Sequence, residues 1–235
     1  MIRSAILLLL TSFLIVSCEK DQPEPSDPGF DYFPNQLGHY CIYDVDSTVY
    51  DDFSGDTFYY HYQVKEVIES YFTDNEGRTA MRIERFRRDY NDSIPINDVP
   101  WHLSRIWSFT RTNERAEKQE ENVRYVRLTF PVKKDERWNG NALNNQGEWN
   151  YKYIATDVPY SLNNLNFDST VVVQQLLRVN GLEHREYVER YAKHVGLVEK
   201  TVIDVKDNTV NLSVPVLDRI ESGVIYSIRL IEFRQ

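Results

Sequence analysis

Cysteine and methionine each occur only twice in the 235 residues, and glycine and proline nine times each. Two cysteines cannot staple a disulfide scaffold. So little glycine and proline, beside 41% hydrophobic and 27% charged residues, excludes a collagen-like chain, a disordered tail and a multi-span membrane protein. An excess of basic charge is also missing. The 27 Lys and Arg face 36 Asp and Glu, for a net charge of −9, which argues against a nucleic-acid partner. What the chain does hold is aromatic: 16 Tyr, 11 Phe and 4 Trp. With so little methionine, that favours pleated, half-buried strands over a helical bundle.

The first residues read as an address. Arg3 gives a short positive start, and Ile6 to Val16 is an apolar run. As a helix the run spans about 17 Å, well short of a hydrocarbon core of about 30 Å, so it fits a secretory signal and not a membrane span. Ile15-Val16-Ser17-Cys18 then resembles the lipobox of bacterial lipoproteins. That resemblance implies cleavage after residue 17, diacylation of Cys18, and a membrane partner reached through the acyl anchor; the alternative is an ordinary signal followed by a chance cysteine. Residues 18–29 are charged, Pro-rich and without apolar periodicity, as a flexible tether would be. The acidic residues after Cys18 resemble the export signal of Bacteroidota surface lipoproteins, which implies an outer-membrane location, with the cell surface favoured over the periplasmic face. Losing Arg3 with the signal takes the mature charge to −10. Cys41, left without a partner, reads as a small buried hydrophobe in the strand Tyr40-Cys41-Ile42-Tyr43.

From residue 30 to 235 the pattern has period two, with no long stripe of helical period. Cys41, Tyr43, Val45 and Val49 share one face; Phe58, Tyr60, Tyr62 and Val64 share another, in a strand continuing to Phe72. A turn at Asp74 to Gly77 leads back through Met81 and Ile83 to Arg88. Leu103 to Thr110 is the next strand, the charged Arg115 to Asn122 stretch reads as a solvated hairpin tip, and Val123 to Phe130 returns. Further strands are expected at Trp149 to Tyr153, Thr170 to Val179, Leu182 to Ala192, Leu197 to Val205 and Val224 to Phe233. Asn180-Gly181 predicts a type I′ hairpin turn. Trp138 to Gln146 and Pro159 to Asp168 read as loops. The fold class is all-β: one large antiparallel meander, curled or closed into a barrel-like or sandwich arrangement that hides its edges.

Three landmarks carry a wider resemblance: Tyr32-Phe33-Pro34 with Gly38 to Tyr43, Trp138-Asn139-Gly140, and Tyr191-Ala192-Lys193-His194-Val195-Gly196-Leu197-Val198. Together they resemble uncharacterised Bacteroidota outer-membrane lipoproteins, with a departure at Cys41-Ile42, where an aromatic is usual. The resemblance implies an antiparallel β-fold and an envelope address, and no catalytic residue.

Nucleophile elbows, zincin helices, phosphate-cradling loops and redox pairs are missing from the sequence. None of the five histidines (His39, His61, His102, His184 and His194) pairs with another at ligand spacing, and the Asp44 to Asp56 acids lack the order of a calcium loop. No metal, cofactor or catalytic residue is therefore expected. His61 falls on an outer strand face, and Arg82 to Arg88 reads as the charged guard of a sheet edge or a protein contact. Trp101 and Trp107, six apart, share a face if their strand is regular. Trp138 and Trp149 flank the Asn/Gly-rich loop and are candidates for sugar stacking, with Trp138 expected to be partly exposed; core aromatics would give the same pattern. Ser47, Ser93 and Ser169 follow aspartates in a pattern that resembles the O-glycosylation acceptors of Bacteroidota, as Asp-Ser turns leading into strands would also produce.

The sequence thus points to a non-enzymatic, lipid-anchored envelope protein, a binding or accessory subunit of an outer-membrane complex with an envelope protein partner. The alternatives are a surface glycan-binding module and a carrier of an apolar ligand inside a curled sheet.

Overall fold

The computed structural model describes residues 27–235. The signal at 1–17, Cys18 and the tether up to residue 26 lie outside the described residues. Twelve strands follow one another: β1 Tyr40–Tyr50, β2 Thr57–Thr73, β3 Thr79–Asp89, β4 His102–Arg111, β5 Arg115–Glu120, β6 Val123–Thr129, β7 Arg137–Asn139, β8 Asn150–Leu162, β9 Leu165–Val179, β10 Glu183–Ala192, β11 Gly196–Lys206 and β12 Ser222–Arg234. Among the described residues the only helical pieces are 3-10 turns of three residues, at Phe30–Tyr32, Ile96–Asp98 and Val216–Asp218.

All pairings are antiparallel, in the order β6-β5-β4-β3-β2-β1-β12-β11-β10-β9-β8-β7. The sheet is an all-β meander whose first and last strands pair in the middle, and it curls until its two edges almost meet. At that seam no ladder forms between β6 and β7. Val126 N–H donates to Gly140 O at 2.9 Å, Trp138 Nε1 donates to Val126 O at 3.0 Å, and Asn144 Nδ2 donates to Arg124 O at 2.8 Å. Gly140 permits the closure because a Cβ there would sit 2.3 Å from the Tyr151 ring.

Alternation sets what faces inward. On β2, Val64 is buried, Tyr62 half-buried, and Tyr60 and Phe58 exposed, so one strand face runs from the enclosed interior out to an open mouth. The opposite end is plugged by the turn Phe30–Tyr32. Arg111 Nη1 donates to Phe30 O and Phe33 O at 3.1 and 2.8 Å, and His194 N–H donates to Asp31 O at 2.7 Å. The tether's last residues are docked here too, since Val132 N–H donates to Pro28 O and Lys193 holds Asp27 at 2.7 Å. Tyr32, Phe33, Ile68, Ile83, Leu128, Trp138, Tyr153 and Val171 form the apolar core beneath this plug. In a second core, the tip of the β8–β9 hairpin brings Leu162 and Phe167 against Val198 and Leu230.

Several sequence expectations need correction. Arg115 to Asn122 is no hairpin tip: β5 occupies most of it, and only Glu121-Asn122 turns, with both residues at positive φ. Its charges find partners on both faces of the strand, which lets a polar sequence pair in a sheet. Pro159 to Asp168 is mostly strand, since β8 and β9 extend until only Asn163 and Asn164 separate them. Asn180-Gly181 does turn the chain, but neither residue takes positive φ. The Asn180 side chain instead accepts from Leu182 N–H and Glu183 N–H at 2.8 and 3.1 Å, so the turn is a side-chain cap and not type I′. Arg82 to Arg88 belongs to β3, which lies between β2 and β4 and is not an edge.

Candidate functional site

The barrel encloses a cavity of about 160 Å³, lined from β1 to β6 and from β10 to β12. Its floor is apolar, with Phe33, Pro34 and Ile68 against the plug. Above the floor the lining is ionic. Glu66 of β2, Arg85 of β3, Lys118 and Glu120 of β5, Arg127 of β6, Glu189 of β10 and Lys200 of β11 all face it.

These seven groups form one alternating chain around the wall. Arg85 Nε lies 3.3 Å from Glu66, Lys118 Nζ bridges Glu66 at 3.7 Å and Glu120 at 2.9 Å, and Arg127 spans Glu120 at 2.9 Å and Glu189 at 3.5 Å. Lys200 ends the chain, 2.9 Å from Glu189. Tyr191 O–H also donates to Glu189 at 2.6 Å. Strand periodicity explains the placement of Lys118 and Glu120, which lie two apart on β5 and so share a face. A register shift places Arg127: Ala116 pairs with Leu128 and Glu117 with Val126, leaving Arg127 as the extra residue of a bulge. Bulges re-aim side chains, and this one supplies the link between the two walls.

Aromatic rings cover the cations. Lys118 Nζ is 4.2 Å from the Trp107 ring centre and 5.1 Å from that of Phe109, and the Arg85 guanidinium lies 4.6 Å over Trp107. The sequence expectation that Trp101 and Trp107 share a face does not hold. Trp101 precedes β4, and a register shift skips Ser104, pairing Arg85 with Arg105 and Phe86 with Leu103. Trp107 lines the cavity, whereas Trp101 stacks under Arg88, which bonds Gln63 and not the cavity chain.

Burial opposes ionisation in such a place, yet Glu189, Glu120 and Arg127 keep their charges. For Glu189, burial pushes the carboxyl up, but Lys200 and Arg127 outweigh it and hold the carboxyl at about 2. Burial works against Glu120 in the same way, and Lys118, Arg127 and Lys200 bring it well below the ordinary carboxylate range. Arg127 is raised despite burial, by Glu120 and Glu189. Four cations face three carboxylates, so the lining carries one positive charge in excess. Two guanidinium atoms, Arg85 Nε and Arg127 Nε, are buried without a hydrogen bond. His39 and Cys41 sit at the floor: burial lowers the His39 pKa and pushes the Cys41 thiol up to about 12, while His39 Nε2 bonds Val195 O at 3.0 Å and Nδ1 has no partner.

The residues singled out from sequence lie elsewhere. Trp138 is in β7, only 9% exposed, packed against Tyr151 and Tyr153 with its N–H bonded to Val126 O, so the exposure expected of it is not met. Trp149 is half-buried against Tyr187, at 5.2 Å between ring centres. Ser47 is a half-buried β1 residue, Ser169 bonds Tyr32 and Asp157 at 2.6 and 2.8 Å, and Ser93 is exposed in the β3–β4 loop. His61 is on the outside, 3.0 Å from Asp44 and stacked on Tyr90. Among the described residues no three His, Cys, Asp or Glu are grouped to hold a metal ion.

No protein-family model matches the chain, and no curated protein matches it. Two solved structures are similar. One is a Bacteroides fragilis protein described as exported and as having a YmcC-like fold, 10% identical, covering 86% of this chain and 98% of its own, with a TM-score of 0.44. The other is a Parabacteroides distasonis protein described as a lipoprotein, 11% identical, with the same coverage and a TM-score of 0.38.

Proposed function

We propose that this is a lipid-anchored binding protein of the bacterial cell envelope whose barrel interior holds a small amphipathic ligand, without performing chemistry on it. The observation that carries this reading is the ionic chain in the cavity wall. Withdrawing a charge from water costs several kcal/mol even after relaxation, roughly what its partner returns, and apolar residues of like volume often serve stability as well or better. Seven ionised groups around an enclosed cavity are thus poorly accounted for by stability alone, and ionisable groups with perturbed titration in a concave site favour recognition. The lipobox around Cys18 and the acidic residues after it support an outer-membrane address, with the cell surface favoured over the periplasmic face.

Native mass spectrometry of the full chain, released gently from membranes, tests the reading. A co-purifying species of constant mass that is lost on unfolding supports it. Recovery of only the bare chain, with no small molecule able to raise the melting temperature, overturns it.

A second reading, an accessory subunit of an envelope complex, is favoured by apolar residues around the open end of the barrel. Phe53 at the β1–β2 turn and Leu212 in the β11–β12 loop are 99% and 87% exposed, and Leu177, Val179 and Val210 are exposed nearby. A stoichiometric partner pulled down from detergent-solubilised outer membrane supports this reading; free monomer across several detergents counts against it.

A further inference from the structure

The ionic chain goes most of the way around the barrel and stops. It begins at Arg85 on β3 and ends at Lys200 on β11, each with one carboxylate beside it, Glu66 and Glu189. In the sheet order β2, β1 and β12 lie between them, and β2 carries Glu66. β1 and β12 contribute Tyr226, Ile228, Tyr43 and Cys41 to the lining, none of them charged. The chain of contacts therefore starts on a cation and ends on a cation, and its four cations exceed its three carboxylates by one. Arg85 Nε, at the start of the chain, is buried and has only its 3.3 Å ion-pair contact with Glu66, without a hydrogen bond. Arg127, itself 4% exposed, leaves its own Nε unpartnered as well. The lining is built to accept one more negative charge.

Size and polarity narrow the ligand. An apolar cavity of about 150 Å³ admits one benzene molecule, and the cavity here is about 160 Å³. Trp107, Phe109 and Ile83 provide an apolar wall next to the Arg85 and Lys118 cations. A phosphate monoester would bring a charge of about −1.5 to −2, more than the single excess positive charge balances, whereas a carboxylate brings one.

We infer that the ligand is a small monocarboxylate with an apolar body about the size of one aromatic ring, its carboxylate balancing the one excess positive charge of the lining, with Arg85 and Lys200, the two cations that end the chain, as its partners. This rests on the binding reading above and names the chemical class that the same cavity takes. The carboxylate balances the charge of the lining, and the apolar body lies over Trp107 and Phe109.

Isothermal titration of the full chain in lipid nanodiscs with four probes of one size tests the assignment: benzoate, benzyl alcohol, benzylamine and phenyl phosphate. Benzoate is expected to bind at least tenfold more tightly than the other three. Lys200→Met, which neutralises the lining, is expected to cost benzoate tenfold or more and to leave benzyl alcohol unchanged. Glu120→Gln, which raises the excess to two positive charges, is expected to shift preference toward phenyl phosphate. Benzyl alcohol binding as well as benzoate, with Lys200→Met without effect, overturns the carboxylate assignment and leaves the binding reading standing. No heat and no rise in melting temperature with any probe overturns both. Should Lys200→Met fail to fold, the ratio of benzoate to benzyl alcohol in the unaltered chain decides the question.

Discussion

Two carboxylates three residues apart on β5 face opposite ways and live differently. Glu117 points outward and is 2% exposed, yet its pairing is complete: Arg78 grips it with two hydrogen bonds of 3.0 and 3.1 Å, and Arg115 adds a third at 2.6 Å. Glu120 points inward, into a chain whose links mix contacts of 2.9 Å with looser ones of 3.3 to 3.7 Å, and where Arg127 Nε makes no hydrogen bond. A bidentate, charge-assisted grip is how a strand is fixed. A loose chain with a spare donor around a cavity is suited to recognition. The difference separates charge that serves the fold from charge that serves recognition.

Substitutions can break this comparison. The largest effect is expected for Glu117→Ala, which strands Arg78 and Arg115. Urea unfolding should show a loss of about 3 kcal/mol, the low end for breaking a buried pair because both arginines keep some contact with water. In the cavity, the double replacement Glu120→Leu with Arg127→Met removes a carboxylate and a cation together. Stability is expected to hold or to rise by about 1–2 kcal/mol. A loss as large as that of Glu117→Ala would make both networks structural and end the distinction.

A smaller effect follows from acid. The Glu189 carboxyl sits at about 2 in the folded chain, against an ordinary value of 4.5. A group lowered on folding contributes stability that is present in full above its ordinary value and is lost as pH falls toward its folded one. The melting temperature should therefore drop between about pH 4.5 and 2, and Glu189→Gln should flatten the curve in that window. The smallest expected effect is no effect at all. Cys41 lines the cavity floor, but with its thiol pushed up to about 12 it should resist iodoacetamide at pH 8 in the folded protein, as peptide mapping would show. Rapid labelling there would mean that the floor opens to reagents and water.

Most strands were legible in the sequence because their alternation pairs apolar with polar residues. Cys41, Tyr43 and Val45 announce a buried face, and Val171 and Val173 another. The candidate site was not legible, for the same reason in reverse. Reading alternation assumes an apolar inside, and here part of the inside is charged, so Arg115 to Glu120 looked like solvated chain and Arg85 like an edge guard. A signal was present in Lys118 and Glu120 at spacing two, but only the partners from β2, β6 and β10 give it meaning, and those pairings are long-range. Trp138 misled because a Gly/Asn-rich neighbourhood reads as a loop, while the seam of the barrel needs a large buried ring there. Trp107 escaped because one skipped residue, Ser104, undoes the parity that counting relies on.

The pairing of β1 with β12 also has a consequence in time. Eleven residues near the start of the described chain must find thirteen at its very end. Local hairpins can form early, but β1 to β6 and β7 to β11 stay two separate ribbons until the last strand arrives to join them. Contacts of such long separation make folding slow. Until they form, Glu66, Arg85, Lys118, Glu120 and Arg127 are on one ribbon and Glu189 and Lys200 on the other. The ionic chain is thus assembled last, by the same event that closes the sheet. A chain cut before Ser222 would not lose an edge strand; it would lose its middle, and with it the site.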